Sequence, residues 1–320
     1  IGAHHHRSGR GEEKIQLPDH INLIPKFFQD AGYYTSISGW PIRKDRLGKT
    51  DYNFEWDQSM YNGSDWSARA EGQPFFAQIQ TPGGKLRGKD ATGWEHISSA
   101  AEQRFGSRTP NSAVTLPPYY PEHPEVVRDW AAYLDSVRMT DAMVGDVLAR
   151  LESEGVLENT LVLFMTDHGI SHARGKQFLY DEGLHVPLVI SGPGVDPGTV
   201  RDDVVEHIDI AALSLAAAGI EIPAYMQAKN ILAEDYQPRE AVFAARDRCD
   251  ETVDHIRSVR TTDFKYIRNF LPERPYLQPC RDKDAKNILI ALRQWHSDGK
   301  LNPAQLLVFR DVRPPEELYD

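Results

Sequence analysis

The stretch from Thr160 to Pro187, T-L-V-L-F-M-T-D-H-G-I-S-H-A-R-G-K-Q-F-L-Y-D-E-G-L-H-V-P, constrains this chain more than any other. Leu161 to Met165 form an apolar run that reads as a buried strand, and it stops at Thr166-Asp167-His168-Gly169. A carboxylate and an imidazole at the end of a buried strand are costly as packing and well suited to a divalent cation. The plainer alternative is a turn capped by Asp167 and a packed His168 ring with one bonded nitrogen. Gly169 permits a tight bend, which lets both side chains face one point and favours the metal reading. Lys176 sits in an otherwise apolar and aromatic loop with Phe178, Leu179 and Tyr180, where it suits an anion held against the cation. A solvated surface lysine is the alternative. His172 lies between them and is read as a donor to substrate or a proton donor, with a structural role equally open. His185, just before Val186-Pro187, is expected to be structural.

Further signals organise the rest of the chain. Asp19 is expected to cap a helix over 21–31, stopped by Gly32, and Tyr33 to Ser38 reads as a strand. Pro74 to Gln80 reads as a second strand that runs into the turn Thr81-Pro82-Gly83-Gly84-Lys85. Residues 86–124, with five prolines from Pro110 to Pro124, read as a long loop region. The spacing of Val127, Trp130, Leu134, Val137, Val144, Leu148 and Leu151 predicts a helix over 125–154, with Asp141 on the inner stripe bonded to buried groups. A strand at 187–191 and a helix from Asp209 to Ala218 follow. Beyond Ala241, short alternating strands at 242–245, 256–261 and 264–269 appear, the last two joined by a turn at Thr262-Asp263. These elements predict an α/β core over 1–236, its largely parallel sheet flanked by helices, and a smaller antiparallel α+β subdomain over 237–320. In open α/β sheets ligands bind beyond the carboxyl ends of the strands. Gly39 onward, Lys85, and Asp167 with His168 all fall there.

Composition narrows the partners. The 320 residues are 40% hydrophobic and 26% charged, an ordinary globular balance, and the net charge of −11 opposes nucleic acid. A substrate anion would need a local basic pocket against that field. No apolar run reaches the ~20 residues of a membrane helix. Cys249 and Cys280 lack metal-like spacing, and whether they form a bridge stays open. The opening Ile1-Gly2-Ala3 and the final Glu316 to Asp320 read as cut from something longer, with His4-His5-His6 as a native loop.

The order of these segments resembles the type I sulfatases, within the alkaline-phosphatase superfamily. T-D-H-G, G-K and Y-D-E-G-L-H-V-P-L-V-I-S-G-P-G are similar to that family's second half, and Ala31-Gly32-Tyr33-Tyr34-Thr35, Pro74-Phe75-Phe76, Tyr133 to Val137, His207 to Ile210 and Glu317-Leu318-Tyr319-Asp320 resemble its other segments. The details look most like bacterial relatives of the heparan N-sulfatase type. The resemblance implies an alkaline-phosphatase-like fold and hydrolysis of a sulfate ester or sulfamate on a sulfated carbohydrate. It makes Asp167 and His168 ligands of Ca²⁺, with Mg²⁺ as the alternative, and puts Lys176 on the sulfate. It implies a periplasmic or secreted location, and it leaves the oligomeric state open.

The chain departs from that family in specific places. The family's nucleophile is a formylglycine made from Cys or Ser in C/S-x-P-x-R, and this sequence holds no such motif. The family's early Asp-Asp metal pair is missing too, so the chain is expected to be inactive alone, an N-terminally truncated form. The family's G-K-W-H segment is matched only in part by Gly39 to Lys44 and by Gly48-Lys49-Thr50-Asp51, which gives Lys49 the lysine's role as a substrate contact. Lys85 stands in for the histidine usual after the P-F-F strand. Two rivals remain: a phosphoester or phosphonate hydrolase of the same superfamily, drawing two zinc ions through residues such as His207 and Asp209, and a non-catalytic binding protein on this scaffold.

Overall fold

The computed structural model describes residues 1–3, 15–50, 52, 54–249 and 251–320. The His4-His5-His6 loop and Asp51 lie outside the described residues, as does the side chain of Cys249. In chain order the elements are α1 (Ile24–Asp30), β1 (Tyr34–Gly39), β2 (Phe75–Gln80), α2 (Ala91–Phe105), α3 (Pro124–Ser153), β3 (Val162–Met165), a one-turn α4 (Asp181–Leu184), β4 (Leu188–Ser191) and α5 (Asp209–Ala217). They continue with β5 (Val242–Cys249), β6 (Thr252–Arg260), β7 (Lys265–Asn269), a one-turn α6 (Arg281–Asp284), α7 (Asn287–Ser297) and β8 (Glu316–Tyr319). Two compact units result: Ile1–Thr81 with Gly194–Arg239, and Pro82–Pro193 with Glu240–Asp320.

In the first unit β1 and β2 pair in parallel, from Tyr34↔Phe75 to Gly39↔Gln80. Leu23, Ile37, Met60 and Tyr61 form its core, and Phe28 of α1 stacks on Phe76 with ring centres 4.2 Å apart. The helix begins at Ile24 rather than near Asp19, because Pro25 occupies the first turn, where its missing N–H costs nothing. Asp209 does more than open α5. Only 1% exposed, it accepts from the backbone N–H groups of Glu206 and Lys229 and takes both terminal nitrogens of Arg239 at 2.7 Å.

In the second unit β3 and β4 pair antiparallel, from Val162↔Ser191 to Met165↔Leu188. The C-terminal strands form an antiparallel sheet in the order β5-β6-β7-β8. The expected turn joins β6 to β7, with the Thr261 backbone N–H donating to the Phe264 carbonyl. The reading of 86–124 as loop is corrected: α2 occupies 91–105. Asp90 caps it by accepting from the N–H groups of Thr92 and Gly93, and Trp94, Ile97 and Ala101 supply its buried face. The placement of Asp141 is corrected too. It is exposed, and the fully buried stripe of α3 runs Val126, Asp129, Ala132, Ser136, Thr140, about one residue round the helix from the expected one. The buried acids on α3 are therefore Asp129 and Asp135.

Much of the segment between β3 and β4 is buried. Ala173 sits in a cluster with Tyr120, Val126, Ile288, Leu289 and Leu292, while Phe178, Leu179 and Tyr180 pack on Ile256 and Ile267 of the C-terminal sheet. The loop that follows Asp167 and His168 is thus wedged between α3, α7 and that sheet.

Replacing Arg239 with Ala leaves the buried Asp209 carboxylate without its counter-charge. Thermal or denaturant unfolding of Arg239→Ala is expected to show a loss of about 3–5 kcal/mol, against less than about 1 kcal/mol for the exposed pair of Arg104 with Asp146.

Candidate active site

The end of β3 delivers Asp167 and His168 together. The Asp167 carboxylate is 82% exposed, and its Oδ1 lies 3.7 Å from His168 Nε2. The other ring nitrogen, Nδ1, lies 2.7 Å from the Gly169 carbonyl, so Nδ1 carries the proton that it donates there. Nε2 is left as a bare acceptor, buried and without a hydrogen-bond partner. Burial pulls the imidazole below its ordinary value, Lys85 and Lys176 act in the same direction, and the Gly169 carbonyl and Asp167 only partly oppose them. A neutral ring with a free lone pair beside a carboxylate oxygen forms an edge that offers two donors of a kind that suits a divalent cation. Among the described residues no group of three or more His, Cys, Asp or Glu side chains is arranged to hold a metal, so this edge needs further oxygens.

The bend behind this edge depends on glycine. A Cβ on Gly169 would lie 1.8 Å from the Glu182 carbonyl oxygen, and one on Gly175 would lie 1.9 Å from that of Ile170. The backbone closes through Gly169 N–H to the Gly183 carbonyl and Lys176 N–H to the Ile170 carbonyl. The second bond brings Lys176 back toward the metal edge.

Lys85 and Lys176 bear on this edge through their charge. Both act electrostatically on His168, and both act on Asp282, a carboxylate at the start of α6 that the sequence reading missed. Burial pushes the Asp282 carboxyl up, yet Lys286, Lys176 and Lys85 together hold it below the usual carboxylate range. Lys286 bridges Asp282 at 3.2 Å and Ser171 Oγ at 2.7 Å. Three lysines therefore act on this one acid, Lys286 by direct contact and Lys176 and Lys85 electrostatically. Lys49 belongs to the first unit, where its side chain is exposed and its carbonyl accepts from Gln80 Nε2.

His172 occupies a different place from the open site. It is 1% exposed, its ring stacks on Trp130 at 5.0 Å, and Nε2 bonds Asp129 Oδ1. Asp129 also accepts from Arg87 Nε at 3.0 Å and from Trp94 Nε1 at 3.0 Å. Arg87 reaches on to the carbonyls of Gly84 at 2.6 Å and Ser171 at 3.2 Å. Burial pushes Asp129 up, and His172, Arg87 and Trp94 more than offset it. Burial and then Arg87 drive His172 down to about 4, so the ring is neutral and held inside a polar knot. A side chain so enclosed suits the structural role left open beside the proton-donor reading. The signal available in the sequence was Arg87 in G-G-K-L-R-G-K, an arginine beside a loop lysine, but its partner Asp129 lies far along the chain.

Residues 1–220 match the sulfatase family model, and residues 168–285 match the model of the C-terminal part of N-sulphoglucosamine sulphohydrolase. The chain belongs to the sulfatase family. It is 32% identical over 361 residues to an ulvan-active sulfatase of Formosa agariphila, a match that covers 100% of this chain and 59% of that protein. It is 33% identical over 106 residues to human arylsulfatase K, covering 32% of this chain and 20% of that one. The chain therefore spans 59% of the length of the first of these sulfatases. Its fold is shared with a sulfatase of the Bacteroides thetaiotaomicron glycosaminoglycan locus, at TM-score 0.62 and 16% identity over 84% of this chain and 72% of that one. It is also shared with a structure solved in complex with D-glucosamine-2-N,6-O-disulfate, at TM-score 0.55 and 17% identity over 96% of this chain and 85% of that one. The α/β architecture with a C-terminal antiparallel sheet is thus the alkaline-phosphatase-like fold of the sulfatases.

The neutral, buried His172 of this sulfatase-family chain sets a pH dependence. Above pH 6.5 folded and unfolded states both carry a neutral ring. As pH falls toward about 4 the unfolded chain takes up a proton that the native state refuses, so stability present above pH 6.5 is lost across that window. Melting temperature is expected to drop over this range, and His172→Asn should start lower yet show a shallower slope.

Proposed function

We propose that this chain carries the metal- and sulfate-holding part of a sulfuric ester or sulfamate hydrolase acting on a sulfated carbohydrate. The observation that supports this most is the exposed Asp167 carboxylate 3.7 Å from the unpartnered Nε2 of His168 at the carboxyl end of β3. In this reading Asp167 and His168 supply two donors to Ca²⁺, with Mg²⁺ as the alternative, and Lys176 and Lys85 contact the sulfate oxygens. When bound, the cation would withdraw charge from the sulfate and orient it. The lysines would neutralise charge on the transferring sulfuryl group, in a patch that Asp282 and Lys286 shape. Lys49 is proposed as a further substrate contact on the first unit. The match of 168–285 to an N-sulphoglucosamine sulphohydrolase region and the disulfated glucosamine in a structural neighbour support an amino-sugar sulfate as substrate. A periplasmic or secreted location goes with that substrate, and no helix among the described residues is long and apolar enough to cross a membrane.

The sequence has no C/S-x-P-x-R, so no step is assigned to a formylglycine. The two-zinc phosphoesterase reading gains no support from Asp209, whose oxygens are taken by Arg239, Glu206 and Lys229.

Titration calorimetry on this chain tests the proposal. Ca²⁺ is expected to bind weakly and more tightly in the presence of glucosamine 6-sulfate, and Asp167→Ala should abolish the calcium heat. Lys176→Ala should weaken the sulfated sugar by roughly 10–100-fold, the worth of one charge-assisted hydrogen bond. If both variants bind metal and sugar as the parent does, the site assignment fails. Aryl sulfate is expected not to turn over, and clear hydrolysis by this chain would mean that an unassigned nucleophile is present.

A further inference from the structure

The same loop that carries Lys176 turns a second set of side chains into a separate cavity of about 270 Å³, whose lining includes Arg174, Tyr180, Tyr276, Arg310, Glu317 and Tyr319. Arg174 is its most unusual member. The guanidinium lies 4.1 Å from the centre of the Tyr180 ring and 4.8 Å from that of Tyr119. Its side chain is 20% exposed, and the nearest carboxylate oxygen, from Glu182, is 3.9 Å from Nε, beyond hydrogen-bonding range. Nε is buried with no hydrogen-bond partner. A buried guanidinium donor left unmet calls for an explanation, and a cavity that Arg174 lines offers room for a ligand to its fork.

The carboxylate in the wall does not compete for this cation. Glu317 accepts from the Tyr180 and Tyr319 hydroxyls and from Asn269 Nδ2, so both its oxygens are engaged. It holds Tyr180 and Tyr319 edge to face, with ring centres 6.0 Å apart, and Tyr276 lies 6.5 Å from Tyr180. Aromatic walls with polar rims suit the flat apolar face of a sugar ring, and an arginine fork suits a planar or tetrahedral oxyanion. Arg310, exposed at the rim, adds a second cation.

We infer that this cavity is an accessory subsite for an oxyanion-bearing pyranose, with Arg174 gripping the anionic group and the tyrosines stacking on the ring. The sugar part rests on the carbohydrate reading proposed above, whereas the anion contact rests on Arg174 alone. A glycan engaged here as well as at Lys176 would be selected for negative charge at two places along its length.

Binding to this chain would be followed by titration calorimetry and saturation-transfer NMR with four probes: D-glucuronate, glucose 6-sulfate, glucose and inorganic sulfate. Glucuronate or glucose 6-sulfate is expected to bind and to show contacts to the tyrosine rings, with glucose much weaker; which of the two is tighter names the anion. Arg174→Gln should lower the affinity roughly tenfold or more, and Arg310→Ala, which touches only the rim, should lower it roughly threefold with the melting temperature unchanged. Lys176→Ala should leave glucuronate binding intact, which separates this subsite from the sulfate site. The proposal is overturned if neither arginine variant alters binding, if inorganic sulfate binds as tightly as the sugars, or if Lys176→Ala abolishes glucuronate binding. Loss of the Lys176 and Asp167 effects on sulfated sugar with the Arg174 effect preserved would sink the active-site reading and leave this one standing.

Discussion

The second unit is organised around one buried carboxylate. Asp129 has 1% of its surface exposed, and a charge taken that far from water is tolerated only if donors surround it. It has Arg87, Trp94 and His172. Each comes from a different part of the chain: the turn that carries Lys85, the helix α2, and the loop that carries Lys176. Satisfying one anion therefore ties together the segments that carry Lys85 and Lys176. Arg87 extends this link by holding the carbonyls of Gly84 and Ser171, each one residue from a side chain that matters. Lys286 does the same from α7, bonding Ser171 and Asp282 at once.

The chemistry on the open side follows from that scaffold. A protein with net charge −11 repels a sulfated glycan as a whole. Lys85 and Lys176 act against that field at His168, and together with Lys286 at Asp282. Lys85 and Lys176 also add to the burial that favours the neutral His168 ring. On the same loop, Arg174 is layered between Tyr119 and Tyr180 at the cavity.

Much of this was legible in local sequence. The strand ending in Thr166-Asp167-His168-Gly169, the β6–β7 hairpin and the long helix α3 all appear where their patterns put them, because each depends on contacts within a few residues. The misses have equally local explanations. In α2 the first turn reads A-T-G-W, and Gly93 disguises a helix that Asp90 nevertheless caps. On α3 the apolar spacing suggested one face, but the helix buries small and acidic residues instead, since Asp129 and Asp135 have partners waiting. The strand β8 is too short to announce itself and forms only because β7 offers an unpaired edge.

The sequence by itself determined the element types, the family resemblance and the Asp-His pair with its following lysine, because these rest on residue chemistry and short-range spacing. Tertiary structure alone decided that His172 is an interior group, that Lys286 joins Asp282 to Ser171, and that Arg174 lines a cavity with its Nε unmet. The physical reason is that burial and charge pairing act between residues far apart in the chain: Arg87 and Asp129 are 42 positions apart, and Ser171 and Lys286 are 115 apart. No spacing rule along the backbone carries such distances.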